Sequence, residues 1–249
     1  MAAVEERAEL HKTIWRIAND LRGSVDGWDF KSYVLVFLFY RFISENLTEY
    51  VNASEREAIL ADGGSVDEAN AFDYAILSDE VAESDRAGII KDKGFFIRPS
   101  DLFANVRTRA ASDENLNETL AKAFRSIEDS AKGSGSESDL RGLFDDVDVN
   151  ATKLGNTVAE RNAKLVKIIE SIGDLPLDHG SAKIDAFGDA YEFLMKMYAS
   201  SAGKSGGEFY TPQEVAQVLA MIAADGRKKV GRVYETFHPC WHKRAPSGF

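Results

Sequence analysis

The chain has 249 residues, 44% apolar and 29% charged, with a formal net charge of −11 and one cysteine. That length allows one large domain or two ordinary ones with a buried core, and a lone cysteine excludes an internal disulfide framework and agrees with a reducing cytosol. The longest apolar stretch, Tyr33–Tyr40, falls far short of the roughly 18–20 residues of a membrane helix, and the acidic start (Glu5, Glu6, Glu9) lacks the order of a secretion signal, so a cytoplasmic protein outside the membrane is expected.

Leu10, Ile14, Ile17 and Leu21 recur on one helical face, and Gly23 ends that pattern. Asp29 to about Tyr50 predicts a second helix, apolar nearly all round through Val34–Phe39 and therefore central to a helical core. Ser54-x-x-Glu57 and Ser65-x-x-Glu68 both have capping-box spacing, with Gly63-Gly64 as a break between them. Phe95-Phe96-Ile97 is a short β-prone run stopped by Pro99, after which Ser100-Asp101 can cap another helix. Asn115 to Ile127 reads as helix, and the Ser/Gly/Glu-rich stretch Asp129–Asp139 as a surface loop or flexible connector. Leu154, Val158, Leu165, Ile168 and Ile172 mark a further amphipathic helix, ended by Gly173 and Pro176. No repeat of fixed period is visible, and the region is expected to be mostly helix with at most a small hairpin.

This first part offers no catalytic or metal-binding constellation. His11 has no acidic or nucleophilic partner at a useful spacing and reads as a surface or interface residue. Trp15 and Trp28 read as core. Asp145-Asp146-Val147-Asp148 lacks the glycine and distant glutamate of a calcium loop and reads as a solvated turn. From Arg86 to Arg109 the chain is locally basic through Lys91, Lys93, Arg98 and Arg107, which could face a phosphate backbone, although Asp85, Asp92 and Asp101 are interspersed. The net charge weighs on that reading. DNA repels so acidic a chain at long range, so work on DNA needs a local basic face or a partner that supplies the grip.

Ile184, Phe187, Tyr191, Leu194 and Tyr198 form one helical seam with Gly188 beside it, running out into the glycine-rich loop 203–207. The next helix starts with Thr211 as a good N-cap, Pro212 at the first position and Glu214 at the third, and Val215, Val218, Leu219 and Ile222 make its apolar face. Its N-terminus, next to Phe209 and Tyr210, suits a ligand with a flat ring and an anionic end; the alternative is that both rings plug the core. Lys204-Ser205 is not part of a phosphate loop, because the order G-x-x-x-x-G-K-[ST] is absent.

Asp185-x-x-Gly188-Asp189-Ala190-Tyr191-Glu192-Phe193-Leu194, followed by Gly206-Gly207-Glu208-Phe209-Tyr210-Thr211-Pro212, resembles the approach to the catalytic domain in the modification subunits of type I restriction–modification systems. Leu154-Gly155-Asn156-Thr157 and Glu160-Arg161-Asn162 extend the resemblance, which runs to about Tyr234. These subunits are adenine-N6 DNA methyltransferases. The resemblance implies that Phe209, Tyr210, Thr211 and Pro212 border S-adenosylmethionine, and that Val230–Tyr234 is the first strand of an α/β, Rossmann-like sheet. It further implies a specificity subunit and a restriction subunit as partners, with DNA reached through the complex.

After Glu235 the resemblance ends. No glycine occurs between Gly231 and Gly248 to form the cofactor turn, and no Asn-Pro-Pro or Asp-Pro-Pro occurs anywhere. The tail holds the only cysteine and half of the histidines, and is expected to be out-of-frame or foreign coding sequence. His238-x-Cys240-x-His242 offers no fourth ligand for structural zinc, so no metal site is expected. The reading is mainly α: a helical N-terminal domain over 1–178, the truncated start of an α/β (Rossmann-like) methyltransferase domain over 179–235, and a divergent tail over 236–249. No catalytic residue is assigned, and this chain alone is expected to be inactive and to hold no cofactor tightly. The alternative is a non-catalytic helical module that docks to specificity or nuclease subunits.

Overall fold

The structure is a computed structural model and describes residues 8, 11–16, 27–175, 188, 190, 192–193 and 213–224. The chain divides into two compact units, Met1–Tyr191 and Glu192–Phe249. Among the described residues every regular element is a helix or a 3₁₀ turn, as the mainly helical reading expects.

In the first unit, α1 (Gly27–Ala61) is the longest element. Tyr33, Val34, Phe37, Leu38, Tyr40 and Leu47 are essentially inaccessible along it, which makes α1 central to the core. It packs along α8 (Val158–Gly173), which also meets α5 (Phe103–Ala110) and α6 (Leu116–Ser130). Leu165, Ile168, Ile169 and Ile172 from α8 face Leu116, Leu120 and Ile127 from α6 in this core, all of them buried. Phe124 of α6 is the aromatic hub: it stacks on Phe144 at 4.3 Å and meets Phe37 and Tyr40 edge-on at 5.8 and 5.3 Å. Edge-on and offset pairs of this kind add about 0.5–1.5 kcal/mol each beyond the area they bury.

Several boundaries differ from the sequence reading. α1 starts two residues before Asp29 and runs eleven beyond Tyr50, straight through Ser54-x-x-Glu57. Residues 51–61 contain no Gly or Pro, and Ser54, Glu55, Arg56 and Glu57 are exposed, so nothing there stops the helix before Gly63-Gly64. The second box is real. Ser65 caps α2 (Val66–Ala71): its hydroxyl accepts from the Glu68 N–H at 3.1 Å, and Glu68 accepts from the Ser65 N–H at 2.8 Å. α8 starts with a second reciprocal box, Thr157 with Glu160, and not at Leu154, which lies in the 3₁₀ turn Thr152–Leu154. α8 ends at Gly173 as expected.

Phe95-Phe96-Ile97 forms no strand. Its polar backbone is answered by side chains instead: the Phe96 N–H donates to Ser130 Oγ at 2.8 Å, and Tyr74 Oη donates to the Ile97 carbonyl at 2.7 Å. Ser100-Asp101 does not cap α5 either. The Ser100 N–H and hydroxyl both donate to the Asp79 carboxylate at the start of α3 (Asp79–Ser84), and the Phe103 N–H of α5 donates to the buried Ser44 hydroxyl of α1 at 3.2 Å. The chain after α6 is no free connector. Ser130 and Ala131 are buried, and the turns that follow lead into the short α7 (Glu137–Leu140).

Residues 11–16 are helical with Ile14 fully buried, but Trp15 is 45% exposed and is not a core residue as expected. The Trp28 side chain lies outside the description. In the second unit, residues 192–193 are helical and α9 spans Gln213–Ala224. The apolar face expected on α9 is exposed, from 47% at Val215 to 69% at Ile222. Most of the seam Ile184–Tyr198, the strand Val230–Tyr234 and the tail 236–249 lie outside the described residues.

Candidate functional site

The residues expected to border a cofactor, Phe209, Tyr210, Thr211 and Pro212, also lie outside the described residues. α9 opens immediately after them at Gln213, within a residue or two of the predicted start.

In the first unit, a cleft of about 500 Å³ lies between the end of α4 (Arg86–Lys93) and the loop 132–136. Its cationic lining comes from Lys91 and Lys93 on α4 and from Lys132 on the loop; Asp92 is the one carboxylate among the lining residues. α4 ends because Gly94 turns left-handed (φ +83°), a conformation that costs glycine little. A side chain at Gly94 would also collide with Ser136, so the loop sits directly on this cap. Ser134 Oγ donates to the Gly94 carbonyl at 2.7 Å, and the Phe96–Ser130 bond holds the next turn of chain.

The opposite side of the cleft is tied to α1. Tyr50 Oη donates to Asp92 Oδ2 at 3.1 Å, and Lys93 Nζ lies 4.6 Å from the centre of the Tyr50 ring. Lys132 pairs with Asp129 at 2.8 Å, a contact that holds the exposed Asp129 carboxyl below its usual pKa. The Gly133 N–H donates to Glu137 and holds that carboxyl low, with Arg141 adding to the effect. Lys91 makes no ion pair, and the Gly135 N–H no hydrogen bond, among the described residues.

The basic stretch read from the sequence is thus sorted by the fold. Arg86 and Arg98 both turn to Glu83, and Arg107 bridges Glu170 at 2.9 Å and Asp174 at 2.5 Å on α8 and its end. Lys91 and Lys93 stay at the cleft. Sequence reading missed Lys132 and Gly135, which lie about forty residues downstream; the one available signal was a lysine inside a Gly/Ser run otherwise read as connector. Asp148 is structural: its carbonyl accepts from Tyr33 Oη at 2.6 Å and its carboxylate from the Asn150 N–H at 2.8 Å. The joint between α6 and α8 is polar, with the Asn117 N–H donating to Asn162 Oδ1 and the Asn162 amide to the Glu114 carbonyl. Of the Glu160-Arg161-Asn162 stretch, Asn162 is thus the buried member, while Glu160 stays exposed at the start of α8.

Residues 10–172 match the family described as the HsdM N-terminal domain, and residues 182–237 match the N-6 DNA methylase family. The chain is 47% identical over 239 residues to the type I restriction enzyme MpnII methylase subunit of Mycoplasma pneumoniae, covering 93% of this chain and 42% of that relative. This chain belongs to the HsdM N-terminal domain family. The crystal structure of another type I methyltransferase subunit, from Streptococcus thermophilus, superimposes with a TM-score of 0.68 at 31% identity, over 89% of this chain and 44% of that one. The chain therefore spans less than half the length of these type I relatives. Its HsdM-type domain accounts for the helical first unit, and no helix among the described residues is long and apolar enough to cross a membrane.

Proposed function

We propose that this chain supplies the N-terminal helical domain and the opening of the catalytic domain of a site-specific adenine-N6 DNA methyltransferase. The observation that carries this is the tandem order of the two family matches, 10–172 then 182–237, within one continuous likeness to a methylase subunit. The second match also favours an enzyme over a purely helical docking module. On this reading residues 1–178 are the helical domain, 179–235 begin an α/β, Rossmann-like domain, and 236–249 are a divergent tail.

In the complete subunit, S-adenosylmethionine supplies the methyl group for the adenine amino nitrogen. Phe209 and Tyr210 would offer flat apolar surface to its ring, and Thr211 as N-cap with Pro212 at the first position would open the helix whose free N–H groups favour an anionic end. The residues present fit that half of a donor site: a described twelve-residue helix opens at Gln213, three positions after Tyr210. These 249 residues contain no Asn-Pro-Pro or Asp-Pro-Pro to hold the target amine, so the chain alone transfers no methyl group. A specificity subunit reads the DNA, a restriction subunit completes the assembly, and both meet the chain in the cytoplasm. Delegated DNA reading accords with a net charge of −11.

The test has two arms. Co-expressed with a type I specificity subunit from the same genome, the tagged chain is expected to co-purify with it; absence of a complex overturns the assembly reading. Calorimetry with S-adenosylmethionine on the chain alone is expected to show no micromolar binding, and labelled methyl groups should not reach DNA. Micromolar binding or methyl transfer by the chain alone overturns the inactivity reading.

A further inference from the structure

We propose that the cleft between α4 and the loop 132–136 is a contact site for the phosphate backbone of duplex DNA. This inference rests on the reading that the chain works on DNA. Three ammonium groups and one carboxylate, Asp92, line a concave surface in a chain whose overall charge is −11; Lys132 is also paired with Asp129 beside the lining, whereas Lys91 and Lys93 make no ion pair among the described residues. Phosphodiester oxygens are the ligand such a site suits: they accept from flexible lysines and from backbone N–H groups without regard to base sequence.

Helix chemistry accounts for part of the cluster only. Lysines in the last turn of α4 offset the negative end of its dipole, which covers Lys91 and Lys93. Lys132 belongs to another segment, about forty residues away, and the fold brings it to the same opening. Gly135 adds an independent observation. A Cβ there would meet nothing within 4 Å, and its backbone does not lie in the left-handed region, so neither packing nor conformation requires glycine. What glycine does provide is an open approach to its own N–H, which has no acceptor among the described residues. The walls are already set by Ser134 on Gly94 and by Tyr50 on Asp92, so a phosphate meets a prepared surface.

Amide-shift mapping on the full chain in low salt tests this with two probes, a short DNA duplex and inorganic phosphate at equal total phosphate. The duplex is expected to move the amides of residues 91–94 and 132–136, and phosphate alone to move them far less. The triple variant Lys91→Gln, Lys93→Gln, Lys132→Gln should lose these shifts with the rest of the spectrum unchanged, and the salt slope of DNA binding should fall by about 2–3. Gly135→Val, which adds bulk at the opening without strain, should weaken the same shifts while leaving all three charges. Equal shifts with free phosphate make the cleft a simple anion site and overturn the assignment. Shifts confined to another face, or none at all, overturn it as well. In either case the assembly with a specificity subunit stands or falls separately.

Discussion

Replacing Ser130 by alanine removes a single oxygen, yet that oxygen holds two segments together. Ser130 Oγ accepts the Phe96 N–H at 2.8 Å and donates to the Ile127 carbonyl at 2.6 Å, with Ser130 4% and Phe96 2% exposed. After Ser130→Ala the Phe96 N–H is buried without an acceptor, at a cost of about 1–3 kcal/mol. Alanine's better helix propensity at the end of α6 returns roughly 0.5 kcal/mol. The net loss should be about 1–2 kcal/mol, equivalent to roughly 3–6 °C in Tm for a protein of this size. Urea unfolding followed by circular dichroism reads the free energy, and hydrogen exchange of the Phe96 amide reads the local cause. Ser126, half-buried on the same helix with no side-chain bond among the described residues, is the control: Ser126→Ala should stay within about 0.5 kcal/mol of the parent. A Ser130→Ala protein as stable as the parent, with the Phe96 amide still protected, refutes the argument that this hydroxyl takes the place of a strand partner.

Thr157→Ala should cost about 1 kcal/mol by opening the box that starts α8, measured by the same melts. Hydrogen bonds from the Thr157 and then the Asn156 N–H lower the Glu160 pKa from 4.5 in the folded chain. The stabilisation is therefore in place above that ordinary value and drains away as pH falls through the lowered folded one; Glu160→Gln should flatten stability against pH in that acid range only. Arg41→Ala should cost about 2–3 kcal/mol, because Arg41 is 11% exposed and donates to the Ile172 and Leu175 carbonyls at 2.7 and 2.8 Å at the end of α8. Arg107→Ala, whose partners Glu170 and Asp174 are 45% and 58% exposed, should cost about 1 kcal/mol or less, and equal losses for the two arginines would contradict this ranking by burial. Val218→Asp and Ile222→Asp should leave the unfolding free energy within about 0.5 kcal/mol of the parent, since both side chains are more than half exposed; a cooperative loss of several kcal/mol would show that α9 is covered in solution.

Local chemistry was readable without coordinates wherever neighbours in sequence are also the physical partners. The all-apolar stretch around Phe37 needs burial on every side, so α1 had to be central, and the Ser65–Glu68 box is closed by two residues three apart. Family membership was legible for a related reason, since the run from Asp185 to Pro212 is contiguous. Partners far apart in sequence were decided by the tertiary structure alone. Phe95–Ile97 has β-prone residues, but extended backbone becomes a strand only if another strand is within reach; here Ser130 and Tyr74 take its hydrogen bonds. Ser100 looked like a cap until Asp79 claimed its hydroxyl, and α5 took its first N–H acceptor from Ser44, fifty-nine residues earlier. Only the fold sets Lys132 beside Lys91, because electrostatic proximity depends on distance in space, and a connector's composition carries no record of the surface it packs against.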